Sequence, residues 1–378
     1  MIKRTIEEEV FQSIRKQYAV LLYGARRVGK TVLTEIIGEK FEGKVTRLNG
    51  ESEMTGQLFR PRTESNYRQV LADTDLLIID EAQAVEDIGG ILKFVVDNVP
   101  HVSVLATGSS SFELKNRVGE PLVGRSTGFH LYPFSFEEMA TEEGRIGLMG
   151  RKDELLIYGC YPELLKIESF REKERYLTDL ANAYLLKDIL SIEGIKNSNK
   201  MLSLLKLIAM QMGNEISYDE LGRQLGLSRN TVEKYLDLLT KTFVLYRLPA
   251  FSRNARNEVT KAGKWYFRDN GIRNAVVGDF RPIGIREDVG ALWEAFLISE
   301  RIKMRENRGE RANFYFWRNY SGSEVDLVEE CGGGLRAFEF KWGNKRPGVP
   351  KSFAEAYPEA LYGVVNQENY LEFLLGAR

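Results

Sequence analysis

The stretch Ala19–Thr31, AVLLYGARRVGKT, decides the fold of the chain because its spacing alone specifies a chemistry. An apolar run ends at Gly24, four residues follow, and Gly29, Lys30 and Thr31 begin what reads as a helix, so the pattern G-x-x-x-x-G-K-[ST] is complete. Backbone N–H groups of such a turn and the positive end of the helix can surround a β-phosphate, where a side chain at either glycine would intrude. The stretch therefore predicts a phosphate-binding loop.

The residues at the start of this helix suit ATP and Mg²⁺ as cofactors. Lys30 supplies a compact positive charge for the β- and γ-phosphates, and the Thr31 hydroxyl is placed to ligate Mg²⁺. The helix is expected to end at Gly38. We expect the nucleotide to contact the whole loop and the residue after it: Gly24, Ala25, Arg26, Arg27, Val28, Gly29, Lys30, Thr31 and Val32.

A second segment carries the acids that such a site needs. The stretch Leu76–Gln83, LLIIDEAQ, reads as a strand buried on both faces of a parallel sheet. Its acids come at the carboxyl end, where the ligands of open α/β sheets collect. Asp80 would hold Mg²⁺ through water, and Glu81 would orient or deprotonate the attacking water. The pattern is common alone, but the phosphate loop upstream makes it specific.

A third strand is expected at His101–Thr107, followed by the letters GSSS. In the additional-strand class of ATPases, one strand lies between the two that carry the loop and the acids. A polar residue at its end touches the water at the γ-phosphate, and Thr107 or Ser109 could take that part. The alternative is an ordinary serine-rich turn that caps a helix beginning near Phe112.

The order of the motifs makes a family resemblance specific. The letters GARRVGKT, LLIIDEAQ and LATGSSSFEL are followed by LVGRSTGFHLYPFSFEE at 122–138 and YGCYPELL at 158–165. In this order the chain resembles, over nearly its whole length, a family of AAA+-type ATPases of archaea and bacteria. Members have a P-loop domain, a winged-helix region and a C-terminal domain of unknown function similar to PD-(D/E)XK endonucleases.

The resemblance implies a role for one arginine. Arg125 matches the Gly-Arg of the family pattern, so we expect it to approach a nucleotide phosphate of its own subunit or of a neighbour. An arginine in that place stabilises charge in the transition state and makes hydrolysis depend on assembly. The alternative is an ordinary surface salt bridge.

The expected fold class is α/β. A P-loop NTPase (AAA+-type) parallel sheet with a helical lid comes first, then a winged helix-turn-helix, then an α/β restriction-endonuclease-like domain. The expected bounds are 1–145 for the ATPase core, 146–200 for the lid, 201–253 for the winged helix-turn-helix and 254–378 for the PD-(D/E)XK nuclease-like domain.

The segment Met201–Pro249 reads as the winged helix-turn-helix. Ser217 and Glu220 form a capping box for its second helix, and Gly226 begins the turn that follows. The third helix begins at Arg229. We expect the side chains that could meet a DNA groove or its phosphates to lie on its outer face: Arg229, Asn230 and Lys234. The alternative is a module that packs against protein, which Glu233 in the same helix favours.

The last domain carries a second set of acids. A helix with Glu294 is followed by three strand-like runs, in which Asp326 precedes the pair Glu339 and Lys341. Asp326 and Glu339 can chelate Mg²⁺, while Lys341 neutralises charge on the scissile phosphate or its water. The motif is short, and many folds of this kind grip nucleic acid without cutting it, so cleavage stays an open question.

Composition limits the remaining classes of function. The chain has 378 residues and a net charge of −1, with two Cys and two His, which argues against a Cys- or His-based zinc site and fits a cytoplasmic location. No run of about 18 apolar residues predicts a membrane span. No small-molecule substrate other than the nucleotide is expected.

The function that the resemblance implies is ATP hydrolysis coupled to DNA binding. The protein would be a DNA-remodelling motor, for example on branched or Holliday-junction DNA, and a homo-oligomer such as a hexameric ring. Two alternatives stay open: an ATP-regulated, Mg²⁺-dependent nuclease, and a signalling ATPase that acts on a protein partner.

Overall fold

The computed structural model describes residues 2–109, 122–183, 198–252 and 263–376. The chain groups into two units, one made chiefly of Lys3–Pro133 with Lys241–Phe243, the other chiefly of Phe134–Thr240 and Val244–Arg378. The four domain bounds expected from the sequence stay predictions, and the bound at 253 and 254 lies outside the described residues. No helix of the described ranges is long and apolar enough to cross a membrane.

A five-stranded parallel sheet forms the centre of the first unit. Its strands lie in the order β2-β3-β4-β1-β5. The strand that was expected between the loop strand and the acid strand is β4, which pairs with both β1 and β3, so that prediction is confirmed. The strands are β1 (Ala19–Tyr23), β2 (Val45–Asn49), β3 (Leu76–Asp80), β4 (Ser103–Gly108) and β5 (Ser126–His130).

Strands β1, β3 and β4 are buried on both faces, as parallel strands in α/β proteins are. Leu21 and Ile79 join one core cluster with Val95 of the helix Ile88–Asn98, while Leu22 and Ile78, which point the other way, are also buried. The helices described in this unit are α1 (Glu7–Gln12), α2 (Lys30–Lys40), α3 (Glu53–Phe59), α4 (Glu64–Val70) and α5 (Ile88–Asn98).

The expectation that α2 ends at Gly38 is wrong, because the helix continues to Lys40. Gly38 is buried, and a Cβ added there would press against the guanidinium of Arg47 and lie 3.1 Å from Cδ1 of Ile78 on β3. The glycine therefore lets the helix approach the sheet closely and does not terminate it.

The second unit begins with helices that lead into a small antiparallel sheet. Helix α9 is capped by the Ser217 hydroxyl, which accepts from Glu220 N at 3.3 Å, and it ends at Gly226 with φ 60°. The expected inward residues of α10, Val232, Leu236 and Leu239, are all buried. The elements are α6 (Phe136–Tyr158), α7 (Phe170–Ala183), α8 (Ser198–Met210), α9 (Tyr218–Leu225), α10 (Arg229–Lys241), β6 (Leu245–Leu248) and β7 (Lys264–Phe267).

A four-stranded mixed sheet follows, in the order β11-β10-β9-β8. Strand β10 runs parallel to β11, whereas β9 is antiparallel to both neighbours. Gly332 and Gly333 both have positive φ and form the two-residue turn between β9 and β10. The elements are α11 (Asn270–Val277), α12 (Val289–Asn307), β8 (Ala312–Arg318), β9 (Glu324–Cys331), β10 (Gly334–Phe340), α13 (Lys351–Ala356), β11 (Leu361–Val365) and α14 (Tyr370–Leu375).

A buried ion-pair network fastens α12 to β9. Glu329 is fully buried, and its carboxylate accepts from Arg301 Nε at 2.6 Å and from Arg305 Nη2 at 2.5 Å. Burial alone would raise the pKa of Glu329, but the two guanidinium groups hold it below its usual value. The acid is therefore charged in the core and depends on both arginines.

Removal of this charge is expected to destabilise the second unit. In Glu329→Gln, the buried guanidinium of Arg301 loses its counter-ion and that of Arg305 keeps only Glu310. We expect a loss of about 3–5 kcal/mol in the free energy of unfolding, measured by urea titration. Glu330→Gln is the matched control, because Glu330 is the next residue along and is exposed. Equal effects of the two substitutions would contradict this interpretation.

Candidate functional site

The phosphate loop lies between the end of β1 and the start of α2, and its shape requires glycine. A Cβ on Gly24 would collide with the carbonyl oxygen of Leu131, so no other residue fits there without movement. Gly29 has φ 98°, a conformation that side chains strongly disfavour. The two glycines of the motif are therefore needed for backbone geometry that any larger residue would disturb.

Lys30 is buried against the loop that it is predicted to serve. Its ammonium donates to the carbonyl oxygens of Gly24 and Ala25, each at 3.0 Å, and the residue is 5% exposed. A lysine held within the turn lies where phosphate oxygens would meet it. Val32, by contrast, lies two residues further along α2 and is exposed.

The acid strand and the loop meet through one carboxylate. The Thr31 hydroxyl donates to Asp80 Oδ2 at 2.7 Å, and the Thr107 hydroxyl donates to Asp80 Oδ1. The ends of β3 and β4 and the start of α2 are thus joined at Asp80. Thr31 and Asp80, the two residues predicted to hold Mg²⁺ at this site, lie side by side.

Glu81 is held in a strained position beside this carboxylate. Its backbone has φ 47° and ψ 45°, a left-handed conformation that is uncommon outside glycine. Its N–H donates to Thr107 Oγ1 at 3.0 Å, and its carboxylate accepts from Gln83 Nε2 at 2.5 Å. Gln83 Nε2 also donates to Ser109 Oγ at 2.9 Å. Strain of this kind persists only where the surroundings hold it, and it concentrates at functional sites.

Sequence reasoning missed two residues of this site. Gln83 fixes the Glu81 carboxylate, although it was read only as the end of the acid strand. Gly50, at the end of β2, has no space for a side chain, because a Cβ there would collide with the Glu81 carbonyl oxygen. The letters LLIIDEAQ contained the first of these, but nothing in the sequence pairs Gly50 with Glu81.

The structure does not bring Arg125 to the phosphate loop. Its carbonyl oxygen accepts from Ala19 N, at the start of β1, whereas the loop follows the opposite end of that strand. Its guanidinium forms an ion pair with Asp97, and more than half of the side chain is exposed. Contact with a neighbouring subunit's nucleotide stays a prediction.

The second unit contains the other acids, and three predicted residues meet there. Asp326 Oδ2 accepts from Phe340 N at 2.8 Å, next to Glu339, whose Oε1 accepts from Lys341 Nζ at 2.6 Å. Glu339 Oε2 is buried and accepts no hydrogen bond, and among the described residues nothing donates to Asp326 Oδ1. Two carboxylate oxygens are thus left without partners.

Glu294 is held separately, by residues that sequence reasoning missed. Its Oε1 accepts from Tyr266 Oη, and it lies 3.3 Å from Lys264 Nζ, which also pairs with Glu324. No group of three or more His, Cys, Asp or Glu side chains in the described part of the chain is placed to hold a metal ion. The four predicted residues of the nuclease-like site therefore do not form one ligand set.

Burial and the neighbouring carboxylates of Glu294 and Glu339 raise the pKa of Asp326 to about 8. Burial would lower the pKa of Lys341, but Glu339 and Asp326 raise it. Ionisation of Asp326 therefore costs free energy in the absence of an added cation, whereas Lys341 stays charged.

The predicted DNA-contact residues lie on the exposed side of α10. Arg229, Asn230 and Lys234 are all exposed, and so is Glu233. Arg229 Nη1 lies 3.5 Å from Asp219 Oδ2, with both side chains more than 60% exposed. A pair so exposed is worth little and can be exchanged for another partner.

Family models match three segments of the chain. Residues 16–140 match the model described as "AAA domain", residues 150–282 the "Domain of unknown function (DUF8612)", and residues 289–374 the "Domain of unknown function (DUF4143)". The first unit contains an AAA domain of the P-loop ATPase family. The winged-helix and nuclease-like interpretations stay predictions.

Several curated proteins are similar to this chain, and each is described as uncharacterized. One from Mycobacterium tuberculosis is 23% identical over 94% of this chain and 77% of its own length. One from Haemophilus influenzae is 24% identical, with 72% of each chain covered. One from Methanocaldococcus jannaschii is 23% identical over 67% of this chain and 60% of its own length.

A solved structure also matches, that of a Signal Transduction ATPase with Numerous Domains (STAND) protein with a tetratricopeptide repeat sensor from Pyrococcus horikoshii. The two chains are 13% identical, with 82% of this chain and 48% of that chain covered and a TM-score of 0.28. A likeness of that degree carries no argument about fold or function.

The raised pKa of Asp326 predicts a pH-dependent loss of stability in EDTA. Because the folded pKa is about 8 and the ordinary value is 3.8, the stabilisation from the protonated acid is full below the ordinary value and is lost as pH rises through the folded one. Relative to Asp326→Asn, the wild type should lose at most about 1.4 kcal/mol per pH unit up to about pH 8 and no more above it.

Thermal melts across that range measure this difference in stability. Asp219→Asn, which changes an exposed acid, is the control and should show no such trend. Parallel pH profiles for the wild type and Asp326→Asn would contradict the assignment of a costly buried carboxylate.

Proposed function

We propose that the protein is an ATP-hydrolysing AAA-type protein that binds DNA and couples hydrolysis to DNA remodelling as a homo-oligomer. The observation that carries the hydrolysis is the meeting of Thr31, Asp80 and Thr107 at the phosphate loop, with Glu81 fixed beside them. The AAA domain at residues 16–140 supports the same activity. DNA as the partner and the oligomer rest on the family resemblance and on α10.

The residues of the first unit fit a nucleotide with Mg²⁺. The loop has no space for a Cβ at Gly24, and the hydroxyl of Thr31 and the carboxylate of Asp80 are oxygen donors of the kind that Mg²⁺ prefers. When bound, Mg²⁺ would neutralise charge on the β- and γ-phosphates. Lys30 would exchange its bonds to the loop carbonyls for phosphate oxygens.

Glu81 is the group that would orient the attacking water and accept its proton at the carboxylate. Gln83 holds one carboxylate oxygen and Thr107 holds the backbone N–H, so the acid cannot turn freely. Ser109, at the end of β4, reaches Glu81 through Gln83. A change at Ser109 would therefore reach the Glu81 carboxylate through the side chain of Gln83.

Two substitutions test the hydrolytic site by steady-state ATPase assay and by nucleotide binding. Lys30→Ala should abolish hydrolysis, because the phosphates lose their main cation. Glu81→Gln should bind ATP normally and lower kcat by about 10²–10⁴-fold, because it cannot accept the proton. Lys93→Ala and Glu86→Gln are matched controls, since both residues are exposed in the same unit. Full activity in Lys30→Ala would reject the assignment.

The interpretation of α8 to β7 as a winged helix-turn-helix that binds DNA is supported by two features. Two helices joined at Gly226 precede an antiparallel pair of strands, which is the order of elements in that module. The third helix buries one face and exposes Arg229, Asn230 and Lys234 on the other. Glu233 and Asp237 are exposed on the same helix, and they favour the alternative of a protein partner.

The salt dependence of binding distinguishes a DNA partner from a protein partner. If α10 meets phosphates, Arg229→Ala and Lys234→Ala should each weaken DNA binding and lower the slope of log K against log salt by about 1. Lys206→Ala, which removes an exposed cation from α8, should leave both quantities unchanged. DNA binding that is absent or insensitive to salt would contradict the proposal and favour a protein partner.

A nuclease-like cation site is a second candidate function, favoured by the unpartnered oxygens of Asp326 and Glu339. The order α12-β8-β9-β10-α13-β11 and the mixed sheet agree with the predicted α-β-β-β arrangement. Asp326 and Glu339 would hold one divalent ion, which would supply charge stabilisation at a phosphodiester. Lys341, charged and 36% exposed, would face the phosphate.

A further inference from the structure

Lys264, on β7, is a buried lysine whose ammonium lies among the acids of the second unit. Its side chain is 3% exposed, and Nζ pairs with Glu294 at 3.3 Å and with Glu324. The ring of Phe316 lies 5.5 Å from Nζ. A buried ammonium of this kind is tolerated only because acids pair with it.

The acids around Lys264 divide into two halves: Glu294 and Glu324 pair with its ammonium, and Asp326 and Glu339 do not. Glu294 accepts from Tyr266 and pairs with Lys264, and Glu324 pairs with Lys264 and lies 3.7 Å from Arg318 Nε. Nothing in the described ranges donates to Asp326 Oδ1 or to Glu339 Oε2. Asp326 is 8% exposed and Glu339 Oε2 is buried, so these carboxylates have less access to bulk water than a surface carboxylate has.

We propose that Lys264 is a resident cation of this cluster: its ammonium fills the half made by Glu294 and Glu324, and only the half made by Asp326 and Glu339 takes a divalent ion. The proposal rests on the cation site proposed above. It goes further in stating how many ions bind and which side chain sets that number.

The contacts explain why the ammonium excludes a second metal ion. Two-metal hydrolysis of phosphodiesters needs two ions about 3.5–4 Å apart, both within reach of shared carboxylates. Here Glu294 is already engaged by Tyr266 and Lys264, and no third acid joins Asp326 and Glu339 in the described residues. The charge of Lys264 also repels the ion that does bind and weakens its affinity.

Lys264 also ties the cluster to the small sheet. It pairs in register with Leu248 of β6, and the chain beyond β6 bonds to β8 through Phe316. The lysine is therefore positioned by the backbone of the helix-turn-helix segment as well as by its acid partners. A cluster with one divalent ion and a fixed ammonium is suited to gripping a phosphodiester rather than to cutting it by the two-metal route.

The test is Mn²⁺ titration of the full chain by calorimetry, without nucleotide and in an Asp80→Asn background that silences the phosphate-loop site. We expect one Mn²⁺ per chain, which disappears in Asp326→Asn. Two ions would overturn the proposal for Lys264 while leaving a cation site in place. No binding at all would overturn the cation site itself, and this proposal with it.

Lys264→Met, which keeps the length of the side chain and removes its charge, tests the residue directly. We expect Mn²⁺ to bind about tenfold more tightly, whereas Lys264→Arg, which keeps the charge, should stay within threefold of the background. A gain of threefold or more in Lys264→Met supports the proposal, and a smaller change or a loss overturns it. Circular dichroism melts show whether Lys264→Met folds. If it does not fold, the number of Mn²⁺ ions bound by the chain that keeps Lys264 is the test, and one ion supports the proposal while two overturn it.

Discussion

The carboxylate of Asp80 is the point on which the first unit depends, because it accepts from Thr31 and Thr107 at once. Those hydroxyls belong to segments that are far apart in sequence, and they meet only because β4 lies between β1 and β3. The sheet order thus brings the loop, the acids and the polar end of β4 to one edge. Any nucleotide chemistry of the protein follows from that meeting.

The sequence predicted the features that depend on local spacing. The glycines, Lys30 and Thr31 follow from the loop pattern, and the acid strand follows from its aliphatic run. The prediction from Gly38 was wrong because this glycine allows α2 to approach Ile78. Gly50, which makes way for the Glu81 carbonyl, carried no prediction. The pairing of Lys264 with Glu294 and Glu324 joins three separate elements, so no local pattern could have indicated it.

The second unit is organised by buried charges, and nearly all the described ones have counter-ions. Glu329 has Arg301 and Arg305, Lys303 has Glu300, and Lys264 has two acids. Asp326 is different, since its only hydrogen bond among the described residues comes from a backbone N–H, and Glu339 Oε2 is buried without a partner. The polar atoms of structural ion pairs find their partners within the protein, whereas a buried carboxylate that lacks partners points to a ligand. This contrast separates the framework of the unit from its candidate site.

The most direct test of the central claim is the ATPase rate of the full chain in Mg²⁺, with and without single-stranded, duplex and four-way-junction DNA, with the recovered DNA run on a gel. Coupled remodelling predicts that one DNA form raises the rate severalfold and is returned uncut. A rate that no DNA changes would contradict the claim and favour a protein partner. DNA that is cut in a metal-dependent way would contradict it in favour of a nuclease.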